Sequence, residues 1–391
     1  MLQGARGGVQ ERRRQALDCA MLSPAVAAAV DRARALVLRH GWNAMAYQIL
    51  NPGMRLWFSA DGEGVAGYVC AGNHRVVAGA PICPPERLAE TAAELAADTR
   101  RAGQRLCYFG AQDRLHHLMA ERGPASALLL GAQPVWDPRR WHSILEGKAS
   151  LRAQLARARN KGVTVQPGAT ADRPALQRCL TEWLRTRGLP PMHFLVEWNL
   201  LPRLLDRRLF VAERAGQTIG FLIASPIPRR DGWLIEQIIR GRAAPNGTTE
   251  LLLDTAIRAL AAEGAGYVTL GLAPLSRAVP RYPTPQYPVP PWPVRLLLAW
   301  VRVHGRRFYN FEGLEHFKRK FQPEDWEPIY AITDRRRISL RTLYAIAGAF
   351  GGASPVWFIG RALLRSLAQE ARWAAGRKGK RPTPGPRDGA S

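Results

Sequence analysis

Apolar positions recur with helical spacing over residues 24–41, "PAVAAAVDRARALVLRHG", and again over 85–102. Between them short runs alternate or cluster as strands do: "RLWFSA", "GVAGYVC" and "HRVVAGA". "RLCYFG" then predicts another strand and "AQDRLHHLMAERG" another helix, so the first half reads as a compact unit of mixed helix and strand. From "SLRAQLARARNKGVTV" onward the mixture repeats. Helices fit 172–187 and 197–206; strands fit "RLFVAER" and "QTIGFLIAS", joined by an Ala-Gly turn, and "GWLIEQIIR" after the turn "PRRDG". A helix fits 247–263, "GYVTLGL" is a strand, and a last strand lies near "PIYAIT".

The order in the second half, two helices, three strands, helix, strand, then helix and strand, resembles the acetyltransferase-like (GNAT) acyltransferase architecture. A less complete version of it precedes. The expected fold is α/β (α+β): two tandem GNAT-like acyltransferase units with a C-terminal amphipathic or membrane-associated helical tail. A chain of 391 residues suits two domains. The expected division is a disordered N-terminus at 1–23, an N-terminal unit at 24–147, a catalytic unit at 148–338, a helical segment at 339–374 and a disordered basic tail at 375–391.

Charge narrows the function. Lys and Arg total 56 against 31 Asp and Glu, a net +25 spread along the chain, which attracts polyanions: nucleic acid or an anionic membrane face. Cys19, Cys70, Cys83, Cys107 and Cys179 show no paired or zinc-ligand spacing and read as reduced thiols. No metal is expected. The N-terminus lacks the apolar core of a signal peptide. Residues 342–360 carry no charge but hold four glycines and Pro355, poor material for a straight spanning helix. That segment reads either as a membrane-surface anchor or as an amphipathic helix packed on the second unit. "YPTPQYPVPPWPVRLLLAWVRVHGRR", with Trp292, Trp300, Arg295 and Arg302, suits a lipid interface. His116 and His117 lack ligand-spaced partners and read as surface or packing residues.

Candidate chemistry gathers in the second half. In "EQIIRGRAAPNGTTELLLDTAIRAL" a strand runs through a Pro-Asn-Gly turn into a helix whose first amides, at Asn246 and Gly247, can hold an anion or oxyanion. Asn246 or Gly247 caps that helix, and Glu250 in its first turn suits the dipole. Gly247 stands alone where coenzyme A enzymes of this architecture carry a richer glycine pattern, which disfavours acyl-CoA. On a regular strand Glu236 and Arg240 share a face roughly 13 Å apart and could bracket a substrate; a bulge would bring Gln237 round instead. In "FYNFEGLEHFKRKFQPEDWEP" the wheel places Phe311, Leu314, Phe317 and Phe321 on one apolar face with Lys318 turned inward beside them, and Arg319 and Lys320 outward. An inward cation needs an anionic partner, a protein carboxylate or a substrate phosphate. On the helix "SLRAQLARARNKG", Arg152, Arg157, Arg159 and Lys161 flank a narrow apolar stripe and suit a phosphate backbone.

"RAAPNGTTELL", "LGLAPLS" and "FYNFEGLEHFKRKFQPEDWEPIY" resemble the signature of the phosphatidylglycerol lysyltransferase C-terminal domain family, the catalytic part of the multiple peptide resistance factors. The resemblance covers roughly residues 40–335. It implies transfer of an amino acid from aminoacyl-tRNA to the hydroxyl of a membrane lipid, with no coenzyme. In this frame Glu236 and Arg240 hold the aminoacyl group, the Asn246–Gly247 amides lie near the oxyanion, and Tyr309 orients the acceptor. Gln237, Glu250, Ser276, Lys318 and Lys320 bind substrate, and Arg152, Arg157, Arg159 and Lys161 guide the tRNA. Arg240 matches the family's strand arginine, whereas Gln237 stands where a carboxylate is expected. The resemblance further implies an anionic lipid partner, a cytoplasmic site peripheral to the inner membrane face, and a separate flippase. The competing readings are an acyl-CoA-dependent N-acyltransferase and an inactive membrane- or RNA-binding module.

Overall fold

Strand-forming runs from both halves join one mixed sheet. The computed structural model describes residues 24–168, 172–186, 194–195, 197–276, 292, 294–296 and 311–351. In the first half, helix α1 (Pro24–His40) precedes β1 (Arg55–Phe58), β2 (Val65–Ala71) and β3 (His74–Ala78). Then come α2 (Leu88–Arg101), β4 (Arg105–Ala111), α3 (Asp113–Ala120) and β5 (Ser126–Trp136). Short α4 (Trp141–Glu146) and basic α5 (Ala149–Asn160) lead to β6 (Val163–Pro167) and α6 (Arg173–Arg185). The second half continues with β7 (Arg208–Arg214), β8 (Gln217–Ile227), β9 (Gly232–Arg240), α7 (Thr248–Ala262), β10 (Tyr267–Thr269) and β11 (Ala273–Pro274). Helix α8 (Phe311–Arg319), β12 (Asp325–Thr333) and α9 (Leu340–Gly351) follow.

The sheet order is β1-β2-β3-β4-β12-β5-β10-β9-β8-β7-β6, with β11 on β5. The two units therefore share a sheet. Strand β12, from the end of the second unit's sequence, lies between β4 and β5 of the first and is antiparallel to both. In each half a parallel pair with an intervening helix recurs, β3-α2-β4 and β9-α7-β10, as the acetyltransferase-like reading expects. The β7–β8 turn is made by Ala215 and Gly216, both at positive φ, 49° and 71°, the backbone that a two-residue hairpin demands.

The two largest apolar clusters among the described residues sit one on each unit. One combines Val37, Ile49, Val76, Cys107 and Leu128 with Ala345, Ile346 and Ala349 of α9. Helix α9 thus packs on β2 and β3 of the first unit, which corrects the reading that packs this segment on the second. Its small alanines let the helix lie close to the sheet. The other cluster gathers Trp136, Trp141, Leu155, Phe210, Leu222, Leu252, Ile257 and Phe321 between α5, α7 and the second half of the sheet.

Three further elements differ from expectation. Residues 197–206 are not a helix: only a 3-10 turn, Leu201–Arg203, forms. Backbone groups there are held by side chains, Asn199 N by Glu197 Oε1 at 3.0 Å and Glu197 O by Gln237 Nε2 at 2.7 Å. Strands β5 and β6 have no counterpart in the sequence reading. "SALLLGAQPVW" is almost continuously apolar because β5 is central, and such runs carry no period-2 signature. The expected segments 1–23 and 375–391, and the tail beyond Gly351, lie outside the described residues.

Candidate active site

Strand β9 is hydrogen-bonded to β8 along its length, but to parallel β10 over three pairs, Gly232–Leu234 with Tyr267–Thr269. Beyond Thr269 the chain turns away and pairs as β11 with Ala132 and Gly131 of β5. Gly131 permits this crossing: at φ 149°, a Cβ there would stand 2.2 Å from the Ala273 carbonyl oxygen. The two strands part like a V. On the side facing β10, no described strand pairs with β9 from Ile235 to Arg240, a length of roughly 17 Å. Such a crevice, beyond the carboxyl ends of parallel strands, is where α/β folds accept ligands.

A β-bulge lies at the start of the open edge. Ala224 pairs with Ile235 and Ile223 with Gln237, leaving Glu236 as the extra residue. The Glu236 carboxylate accepts from Gln48 Nε2 at 3.0 Å, from Arg207 Nε at 3.2 Å and from Ser225 Oγ. Arg207 also donates to Asn51 Oδ1 (3.0 Å) and Arg203 O (2.7 Å) and lies over the Tyr47 ring. Both side chains are sealed, 3% exposed for Arg207 and 4% for Glu236. Because Tyr47, Gln48 and Asn51 belong to the first unit, this pair ties the two halves together. The expectation that Glu236 and Arg240 bracket a substrate thus meets a carboxylate already engaged three ways. Arg240 is exposed at the far end of β9, and no described residue bonds its side chain. Gln237 gives one amide hydrogen to Glu197 O, while its Oε1 and Asn199 Oδ1 are buried with no hydrogen-bond partner among the described residues.

The turn after β9 leaves Asn246 exposed and buries Gly247. Gly247 caps α7 at φ 97°, and a Cβ there would meet the Gln154 carbonyl oxygen at 2.3 Å. Helix α5 therefore presses on the start of α7 through a position that must be glycine. Glu250, in the first turn, pairs with Lys320, whose Nζ also reaches Gln154 Oε1. Lys320 departs from its expected outward place because α8 ends at Arg319, so the wheel no longer fixes its direction.

Lys318 points inward as expected and is 4% exposed. Instead of a carboxylate, Nζ donates to Gly271 O at 2.7 Å and Leu272 O at 2.9 Å, the carbonyls freed where β10 leaves the sheet. Desolvation pulls its pKa down to about 7. An amine near neutrality, held by main-chain oxygens where β10 leaves β9, can bind an anion or exchange a proton near physiological pH. Ser276 lies in the turn after β11, its N–H donating to Ala273 O. Tyr309, Trp300 and Arg302 lie outside the described residues.

The basic helix divides. Arg152 donates to the carbonyls of Leu145 and Glu146 at the end of α4. Arg159 pairs at 3.0 Å with Asp254, a buried carboxylate that also accepts from Trp141 Nε1 and Arg258. Those two arginines carry structural contacts. Arg157 and Lys161 are exposed, with no side-chain partner among the described residues.

A polar cluster between the units escaped the sequence reading. Glu327 accepts Arg230 through two bonds and further bonds from Gln112, Gln133 and Tyr267. Burial would raise its carboxyl, but these donors, Arg230 foremost, bring it below its ordinary value. No local pattern announces the cluster, since its five residues come from five places in the chain. Cys83, Cys107 and Cys179 are buried free thiols and Cys70 is an exposed one. His116 is buried, its basicity lowered by burial. Among the described residues no group of His, Cys, Asp or Glu could hold a metal ion.

The family model for the C-terminal part of phosphatidylglycerol lysyltransferase matches residues 34–333. The chain belongs to this family. It is an acyltransferase of the lysylphosphatidylglycerol synthetase catalytic type. Among solved structures, the C-terminal domain of a putative lysylphosphatidylglycerol synthetase from Agrobacterium fabrum is similar at 23% identity and TM-score 0.70, covering 83% of this chain and 98% of that one. L-PGS from Bacillus licheniformis is similar at 21% identity and TM-score 0.66, covering 85% and 95%. A conserved protein of unknown function from Bacteroides thetaiotaomicron shares the fold at 14% identity and TM-score 0.55, covering 78% and 96%. No curated protein matches the sequence.

Proposed function

We propose that this family member transfers an amino acid from aminoacyl-tRNA to a hydroxyl of a phosphatidylglycerol-type lipid at the cytoplasmic membrane face. The observation that carries the reading is the buried Lys318 amine, held by the carbonyls of Gly271 and Leu272 where β10 leaves β9, with no carboxylate partner among the described residues. A phosphate of either substrate would supply the anion it lacks. The donor is already an activated ester, so catalysis needs positioning, a polarised carbonyl and movement of one proton from the acceptor hydroxyl to the departing ribose oxygen. Arg240 at the open end of β9 and the orphaned Gln237 Oε1 suit the aminoacyl group and its ammonium. The start of α7, beside exposed Asn246, suits developing negative charge.

Two surfaces fit the partners. Arg157 and Lys161 are free for a tRNA backbone, within a chain of net charge +25. Trp292 and Leu296 stand 70% and 60% exposed beside exposed Arg295, while Val294 between them is buried in the first core. An exposed tryptophan with an arginine and a leucine suits an anionic lipid interface. No described helix is long and apolar enough to cross a membrane. Incubation with phosphatidylglycerol vesicles and a mixture of charged tRNAs tests the reading: a new ninhydrin-positive lipid supports it, and acyl transfer only from acyl-CoA would replace it with the coenzyme-dependent alternative.

A further inference from the structure

The first unit carries its own crevice at the carboxyl ends of a parallel strand pair. β3 and β4 run parallel from His74–Arg105 to Ala78–Phe109, and α2 and α3 follow them. At that end lies a small, partly open pocket whose enclosed space, about 10 Å³, is room for about one water molecule. Its lining includes His40, Trp42, Cys83, Leu88, Arg114 and Arg229. The position repeats, in the first half, that of the opening between β9 and β10 in the second.

The charges there are unanswered. The Arg114 guanidinium, in the first turn of α3, lies 4.8 Å over the Trp42 ring, and its Nε is buried with no hydrogen-bond partner among the described residues. Burial with Arg230 nearby brings its pKa down to about 10. Arg230, on the same Trp42, is committed to Glu327, whereas Arg114 has no carboxylate partner among the described residues. His40 Nε2 is likewise buried without a partner among the described residues. Arg229 is placed by its own N–H on Gly41 O at 3.0 Å, and its side chain is exposed. Glu63 and Glu86 act on His40 only at longer range, and Glu63 pairs with Arg39. A cation that is largely withdrawn from water and unpaired is unfavourable unless an anion completes it. The apolar floor of Leu88 and the prolines strengthens any such pairing.

We propose that a phosphate-class oxyanion binds at the mouth of this pocket, with Arg114 and Arg229 supplying the charge and His40 beside them. The site is distinct from the β9–β10 opening and stands whether or not the aminoacyl reading holds. Phosphate and pyrophosphate bind the full-length protein saturably above a chloride control of matched ionic strength, read by calorimetry. Arg114→Gln weakens that binding at least tenfold, Arg229→Gln weakens it several-fold, and Arg240→Ala leaves it unchanged. Arg229→Gln alters an exposed residue and carries the test if Arg114→Gln does not fold. Glycerol 3-phosphate competing with the same Arg114 dependence assigns the site to an ester-linked phosphate; failure to compete assigns it to the free ion. Absence of saturable binding, or binding undiminished in both variants, overturns the proposal.

Discussion

Replacing Glu236 by alanine removes the acceptor at the centre of the contact between the units. Arg207 would then stay 3% exposed and lose its carboxylate, keeping Asn51, Arg203 and the Tyr47 ring as partners. Removing one member of a buried pair costs about 3–5 kcal/mol, because the other charge stays desolvated. Two further donors, Gln48 Nε2 and Ser225 Oγ, lose the same acceptor, which favours the upper half of that range. A double replacement, Glu236→Leu with Arg207→Met, leaves no stranded charge and should recover most of the loss. Urea unfolding followed by circular dichroism reads all three proteins, with the slope checked for loss of two-state behaviour. If Glu236→Ala unfolds at the wild-type urea concentration, the carboxylate is not a structural acceptor.

Further outcomes follow from other sites. Lys318 binds its proton less tightly folded, about 7, than its ordinary 10.5, so the unfolded chain holds more protons between those values and stability rises with pH there. The gain is at most about 5 kcal/mol, complete by the unfolded pKa and absent below about pH 7; Lys318→Met should flatten it in urea midpoints at pH 6, 7.5 and 9. Gly247→Ala places a Cβ against the Gln154 carbonyl at positive φ and should cost more than about 1 kcal/mol, seen as a lowered melting temperature. Ile346→Ala in α9 opens a hole in the first unit's core and should cost about 2–4 kcal/mol; a neutral result in the same melting assay would mean that α9 is not docked there.

Much of the fold was legible because it is written locally. The helices at 24–40, 88–101 and 248–262 and the hairpin β7–β8 follow periodicity, turn chemistry and caps that neighbouring residues share. The inward turn of Lys318 was readable from spacing within one helix. Its partners were not, since the carbonyls of Gly271 and Leu272 carry no side-chain identity and become available only where β10 leaves β9. Long-range placement was equally hidden: nothing in "DWEPIYAIT" says that this strand inserts between β4 and β5. Glu236 shows the same limit in reverse. Its strand face was predictable, but Arg207 and Gln48 come from elements 29 and 188 residues away, so its engagement depends on packing between the units.

The most direct test of the account is lipid aminoacylation by wild type, Arg240→Ala and Lys318→Met. Each is confirmed folded, then supplied with phosphatidylglycerol vesicles and charged tRNA. The account predicts an aminoacylated lipid with wild type and at least a hundredfold loss, about 2.7 kcal/mol of transition-state stabilisation, in both variants. Undiminished transfer in both, or no lipid product from wild type with any charged tRNA, would contradict it.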